Sequence, residues 1–579
     1  MRAAPSRQGP FMFRARHTLL CSLLALAACA PDDSGVGDTS PDTSTDTAAD
    51  TGGDTGAETA EETDADTNAD TAADTAVEET TDATPDDTAV PDTTDDTDAA
   101  DTTADTTADT APDTAEPTVR TCLSWLECDS GEGCDEGVCG GCTSGADCPD
   151  LLGCTADATC GSCATDSECR TGEGCSEGVC LATTISEVRI TVDPADYRTL
   201  RADRYNEDLN VPCSVSADGV SYAGPTTLAV HGGSSRDLPK LSFAVETASD
   251  EHPGYAEKMV LRAEYNDASS LRNILGLELF RRSTDLPTPR TRFRRLYING
   301  ALFGLMVEVE RVGSDFLEIR GRDTRASMYE SEPANEIAST GAGALVPLDD
   351  PAIYRQAYDQ KTGSVAGVAD VVYLIEQVLA PDYYEGQLSG NFLARTRRQI
   401  HLDGYVSYLA NNALLQNQDH VRKNFYFSRQ TVGGRLAWEF YPWDLDLTQG
   451  CLWNDVTGTS FCGAPVYNDP PDVGRIGPDS GLTYPTDGFY NLLMHNVQSD
   501  EFGGAAAYRA EICARSTSQL YTDEIPALAR TLGAYIRPAL VEDSSDRNGT
   551  AADHIAAVDE VVGFYAERAA FLMTELGCP

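Results

Sequence analysis

A chain of 579 residues with 94 Asp and Glu against 41 Lys and Arg carries a formal net charge of −53, a balance that speaks against a nucleic-acid partner. Beyond the first thirty residues no run is long and apolar enough to span a bilayer, so membrane attachment is expected through a lipid only. Twelve of the 19 cysteines crowd into one region, which points to an oxidising compartment and an exported protein.

The N-terminus reads as a targeting segment. Arg2, Arg7, Arg14 and Arg16 precede an apolar core from Thr18 to Ala28 that is too short for a mature spanning helix. The core ends in Leu26-Ala27-Ala28-Cys29, which resembles a bacterial lipobox with lipidation at Cys29. The alternative is an ordinary signal peptide with a cysteine near its cleavage site. An outer-membrane or cell-surface lipoprotein is expected. Residues 30–117 are low-complexity Thr, Asp and Ala. Setting aside the 28 acids between Pro31 and Pro117 takes the net charge from −53 to −25. Such a segment buries too little apolar area to order itself, and like charges keep it extended. As a flexible coil it would span about 50 Å, which suits a tether; a weak calcium-binding or O-glycosylated stalk is the other reading.

Residues 118–182 hold twelve cysteines in three sets of four. The sets are Cys122, Cys128, Cys134 and Cys139; Cys142, Cys148, Cys154 and Cys160; and Cys163, Cys169, Cys175 and Cys180. The repeat is about twenty residues long, and SGEGCDEGVC recurs nearly unchanged as TGEGCSEGVC. Disulfides within each repeat are expected. Zinc is disfavoured, because C-x2-C occurs only at the repeat joints. A stiff spacer and a small binding module both fit.

From Ser186 to Pro579 the composition is that of a globular domain long enough for two lobes. SEVRITV, VPCSVSADGVSYAG and TTLAVHGGSSRDLPKLSFAVE read as strands with turns at Asp218-Gly219 and in the Gly-Ser segment. The turn His231-Gly232-Gly233-Ser234-Ser235-Arg236 is a candidate phosphate loop, with Lys240 behind it to neutralise charge; a plain hairpin tip is the bland alternative. SLRNILGLELFRRS has helical apolar spacing. Its Glu278 is a candidate partner for Lys240, with Glu308 and Glu310 on the return strand of the Asn299-Gly300 hairpin as competitors.

Further on, GYVSYLANNALLQN reads as a helix that delivers Asp419. QDHVRKN holds Asp419 and Asn424, the strands FYFSR and RLAWEFYPW follow, and WDLDL holds Asp444 and Asp446. An Asp, four residues, an Asn, a strand pair and another Asp is the acid layout of a protein-kinase site. Acidic turns of a surface hairpin would look the same. Two C-terminal segments, IPALARTLGAYIRPALVED and HIAAVDEVVGFYAERAAFLMTELG, show helical periodicity. Arg568 is expected in packing, a Cys451–Cys462 bridge is expected, and Cys513–Cys578 would leave Cys213 unpaired.

Taken in order, HGGSSRDLPKLSF, SLRNILGLEL, LYINGALFGLMVEVERV, QNQDHVRKNFYF and YPWDLDLTQG resemble the CotH family, spore-coat-type proteins with an atypical protein-kinase fold. The resemblance covers Ser186 to the C-terminus. It implies an α+β, two-lobed kinase-like domain that transfers the γ-phosphate of ATP to Ser or Thr hydroxyls of a protein substrate, with Mg²⁺ or Mn²⁺. Asp419 would be catalytic, Asn424 and Asp444 metal ligands, and Asp446 an extra ligand. Lys240 and the Ser234-Ser235 turn would hold phosphates. Two stretches depart from the family: His231 and Gly233 stand for its usual Arg and Asn, and Met328-Tyr329-Glu330 for its Leu-Tyr-Lys. Both departures are expected to weaken the nucleotide-binding half more than the metal half. A catalytically weak surface or coat protein is therefore the second expectation. Calcium-dependent carbohydrate binding, resting on exposed acids with Trp443 and Trp453, is the third.

Overall fold

The computed structural model describes residues 120–579 apart from 223, 248–251, 253, 334–336, 338–339, 365, 381–391, 418, 455–458, 463–490, 499–503 and 544–549. The targeting segment with Cys29 and the acidic tether lie outside the described residues.

The twelve clustered cysteines form six disulfides, each repeat joining its first to its third and its second to its fourth cysteine. No thiolate among them is left for zinc. With so few large apolar side chains, these bridges do the stabilising that a core does elsewhere. The repeats do not stand apart as a spacer. Val179 and Leu181 of the third repeat belong to the same apolar cluster as the large domain. Ser130 Oγ donates to the Arg281 carbonyl at 2.8 Å, and Arg281 donates to the Asp150 carbonyl at 2.9 Å.

The first lobe is a closed barrel. Its strands are β1 Ser186–Val192, β2 Val211–Ala217, β3 Thr226–His231, β4 Ser242–Thr247, β5 Lys258–Arg262, β6 Thr291–Ile298 and β7 Ala301–Val309. Neighbours pair in the order β1-β2-β3-β4-β5-β7-β6, and β6 closes on β1 in parallel, the remaining pairs being antiparallel. Alternation aims one face of each strand inward. Val188, Ile190, Val215, Leu228, Val245, Leu261 and Met306 fill the interior. Both hairpin turns read from Asp-Gly and Asn-Gly are present, with positive φ at Asp218, Gly219, Asn299 and Gly300. A helix α1, Pro194–Ala202, joins β1 to β2.

Helix α2, Arg272–Ser283, is buried along its length from Arg272 to Phe280 and lies under the barrel. The second lobe pairs a sheet of β8 Met328–Ser331, β9 Tyr358–Thr362, β10 Phe425–Val432 and β11 Arg435–Pro442 with helices α3 Leu402–Leu414, α4 Ala505–Ser516, α5 Ile525–Glu542 and α6 Ala551–Leu576. This is the α+β, two-lobed architecture expected. The bridges Cys451–Cys462 and Cys513–Cys578 form and Cys213 is free. Val371 lies in a short helix Ala369–Tyr373 that widens into a π-turn over Leu374–Leu379. Among the described residues no helix is long and apolar enough to cross a membrane.

Glu308 on β7 and Glu310 just past its end, both fully buried, are held by arginines rather than by Lys240. Glu308 accepts from Arg292 and Arg294 at 2.7 Å each, and Glu310 from Arg290 at 2.9 Å and Arg320 at 2.6 Å. Burial alone would push the Glu308 carboxyl up, but the two guanidinium groups outweigh it and hold it below the usual carboxylate range. Glu308→Gln removes the buried counter-charge of Arg294, leaving it the half-exposed Asp218 carboxylate at 3.1 Å, and should cost about 3 kcal/mol or more in urea unfolding. The wild-type margin should be complete above the unfolded glutamate pKa of about 4.3 and vanish as pH falls through the lower folded value.

Candidate functional site

Asp419 owes its position to the end of α3. The last carbonyls of that helix would be orphaned in an apolar core. Arg568 of α6, fully buried, donates to the Ala413 carbonyl at 2.7 and 3.1 Å, and the Tyr521 hydroxyl donates to the Leu414 carbonyl at 2.9 Å. This is the packing role expected of Arg568. The following turn is stitched by Asn417, whose side chain donates to Asn412 Oδ1 at 2.8 Å and accepts from the Asp419 amide at 3.0 Å. Asp419 then meets Asn424 Nδ2 at 2.8 Å and Lys423 Nζ at 3.2 Å, all through Oδ2. Asn424 sits at a positive φ of 62°, a conformation its short amide tolerates. His420 is 1% exposed and pushed down to about 4, chiefly by burial, and lies 2.6 Å from the Asn417 carbonyl through Nδ1. It is a neutral ring that braces the turn.

The second acidic segment faces the barrel. Asp444, at a positive φ of 55°, accepts from Arg262 at the end of β5, and Asp446 lies 3.4 Å from the same guanidinium nitrogen. Glu264 approaches Arg262 Nε at 3.9 Å and accepts from Asn273 of α2 at 2.9 Å. Asn273 Oδ1 in turn accepts from the Leu445 amide at 3.2 Å, so α2 holds the middle of the Asp-Leu-Asp run. Gly276 makes room for it: a Cβ there would stand 2.8 Å from Leu445 Cδ1 and 3.0 Å from its Cβ.

Electrostatically the cluster is short of positive charge. Burial would raise the Asp444 carboxyl, yet Arg262 holds it below its usual range. Asp446 is pushed well above its own by burial and by the negative Asp444 beside it. Burial also raises Glu264. One guanidinium serves three carboxylates, and it stands where a cation is wanted. The donors are carboxylate and amide oxygens, which suit Mg²⁺, Mn²⁺ or Ca²⁺ and not zinc. Among the described residues, the sets of three His, Cys, Asp or Glu ligand atoms within 4.8 Å of one another are all disulfide cysteines, so the acids would have to draw together around an ion. On donor chemistry and charge, the residues fit a hard divalent cation.

The expected phosphate groups are placed differently. Lys240 pairs with Asp543 at 2.6 Å and donates to the Leu305 carbonyl at 2.5 Å, in a fully buried position. Gly304, at φ 142°, leaves the space that the Asp543 carboxylate occupies. Glu278 is not the partner of Lys240: it is taken by Arg281 and Arg282 on its own helix, the nearest favourable charges at three and four residues. Glu310 is committed to Arg290 and Arg320. Ser234 and Ser235 form a one-turn 3-10 helix with Arg236, whose guanidinium bonds inward to the Gly232 and Arg204 carbonyls. The turn does approach the acids. Gly233 faces Glu332, 4.0 Å from where a Cβ would be, and Glu332 shares the field of Asp444 and Lys423. His231 is pushed down to about 3 by burial and by Arg262 and Lys258, so it brings no charge.

Arg262, Glu264, Asn273 and Lys423 were not singled out from the sequence. The available signals were an Arg and a Glu two residues apart at the end of the apolar strand KMVLRAE, and a lone Asn at the start of an apolar helix.

The family model described as CotH kinase protein matches residues 228–572. Inner spore coat protein H of Bacillus subtilis (strain 168) is 25% identical over 262 residues, covering 45% of this chain and 68% of that protein. The crystal structure of a Helicobacter pylori proinflammatory kinase, CtkA, is 14% identical, with 62% of this chain and 94% of that one covered; its TM-score of 0.22 is too low to superimpose one site on the other.

Gly276→Ala should not give the usual helix-propensity gain. The added methyl must move Leu445, at a cost of about 1–3 kcal/mol, and shift Asp444 and Asp446 with it. A lowered melting temperature together with weakened Mn²⁺ binding is the expected result.

Proposed function

The chain belongs to the CotH family, and on that premise we propose that it is an exported, lipid-anchored protein kinase acting on Ser or Thr hydroxyls of secreted or surface proteins. The observation that carries this reading is the pairing of Asp419 with Asn424 at 2.8 Å, next to a second carboxylate pair that already binds a cation. ATP with Mg²⁺ or Mn²⁺, when bound, supplies the phosphoryl group and the charge that neutralises the acids. Asp419 orients the acceptor hydroxyl and draws its proton. Asn424, Asp444 and Asp446 are the oxygen ligands for the metal. Lys423, 3.2 Å from Asp419, holds that carboxylate in its orientation. The rigid end of α3 supports positioning, which is most of what such a reaction asks of a protein.

Export is supported by eight disulfides among the described residues, bonds that persist in oxidising compartments. Anchoring rests on the lipobox-like run at Cys29 and on the acidic tether behind it. A Ser/Thr-rich surface protein is the proposed substrate.

A second reading has its own observation. Lys240 and Arg236, the two cations expected at the phosphates, both bond inward. A CotH-fold surface or coat protein that binds metal but transfers phosphate weakly would look this way. Transfer of label from ATP by the full chain with Mg²⁺ or Mn²⁺, onto itself or a Ser-rich acceptor, separates the two. The kinase reading expects labelling that falls by about 100-fold or more in Asp419→Ala and in Asp444→Ala. Absence of label, with no ATP-dependent rise in melting temperature, leaves the binding reading.

A further inference from the structure

Arg262 holds both metal-site carboxylates with one guanidinium, reaching Asp444 directly and Asp446 at 3.4 Å. A divalent cation bound to those oxygens would meet this positive charge at contact distance, so ion and guanidinium compete for the same seat. Another seat stands ready. Glu264 is 6% exposed; one of its oxygens accepts from Asn273 at 2.9 Å, and the other, Oε2, has no hydrogen-bond partner. A buried carboxylate oxygen without a donor is costly and rare. Arg262 Nε already lies 3.9 Å from the Glu264 carboxylate, so the second seat is a short shift away from the first.

Resting on the metal-dependent reading above, we propose that Arg262 is a two-seat switch of the metal site: its guanidinium bridges Asp444 and Asp446 when the ion is away and turns onto Glu264 when the ion binds. Glu264 is then a positioning residue that acts through Arg262 and not a metal ligand. The device keeps the acids neutralised and the fold intact without metal. It also raises the metal concentration the site needs, since every binding event must move Arg262.

Mn²⁺ dissociation constants measured by calorimetry on the full chain test this through a four-protein cycle. Arg262→Gln should bind Mn²⁺ at least about fivefold more tightly than the wild type, the low end for coupling at a shared site. Glu264→Gln should bind it more weakly, because the displaced guanidinium has nowhere to go. The double variant should match Arg262→Gln within roughly twofold, the error expected for sites that do not couple. Equal weakening by Glu264→Gln in both backgrounds would make Glu264 a direct ligand and overturn the proposal. So would an Arg262→Gln protein no tighter than the wild type. Failure of all four proteins to bind Mn²⁺ would overturn the metal-dependent reading itself, a distinct outcome. Thermal unfolding checks folding, and Arg262→Lys, which keeps charge but loses the fork, stands in if the glutamine variant does not fold; its expected affinity lies between the two.

Discussion

Three carboxylates from two chain segments, Asp444, Asp446 and Glu264, face the single guanidinium of Arg262 at the junction of the lobes. Carboxylates at this density are unstable without a cation. The neighbouring elements hold them in place against that cost: α2 through Asn273 and the missing side chain of Gly276, and the end of α3 through the Leu415 carbonyl, which accepts from the Gln449 amide just past Asp446 at 2.7 Å. The positive φ values at Asn424, Asp444 and Glu264 belong to the same arrangement. Backbone in that region persists where the surroundings over-determine it, which is a property of binding and catalytic sites.

Rigidity is imported from far along the chain. The end of α3 is capped by Arg568, about 150 residues later, with a cation placed where a helix C-terminus favours one. The barrel is strapped to the end of α5 by Lys240 and Asp543, side chains 0% and 1% exposed. The far end of α2 is covered by the disulfide module, where Trp125 stacks over Arg281 at 5.6 Å. The helix that positions Leu445 is thus gripped at one end by the acid cluster and at the other by the cysteine repeats. A module without a core of its own gains from this contact the apolar burial it lacks.

Local features were legible in the residues. Strand alternation in SEVRITV and TTLAVH, the Asp-Gly and Asn-Gly turns, the apolar face of SLRNILGLELF and the pairing of cysteines within their own repeats all depend on neighbours a few residues away. So did the spacing of Asp419 and Asn424, which puts both at the mouth of one strand and within hydrogen-bond reach. Ion pairing was not legible. Glu278, Glu308 and Glu310 all lie in plausible places for a lysine, and arginines at many spacings compete for them.

By itself the sequence determined the main strands, turns and helices of its periodic segments, the confinement of the clustered disulfides to their own repeats and the identity of the acids, because periodicity, turn chemistry and residue type act locally. Only the tertiary structure decided which charges meet: Lys240 with Asp543 across 303 positions, and Arg262 with Asp444 across 182. A buried ion pair is selected by the geometry of desolvated groups that the whole fold brings together, and no pattern along the chain encodes that geometry.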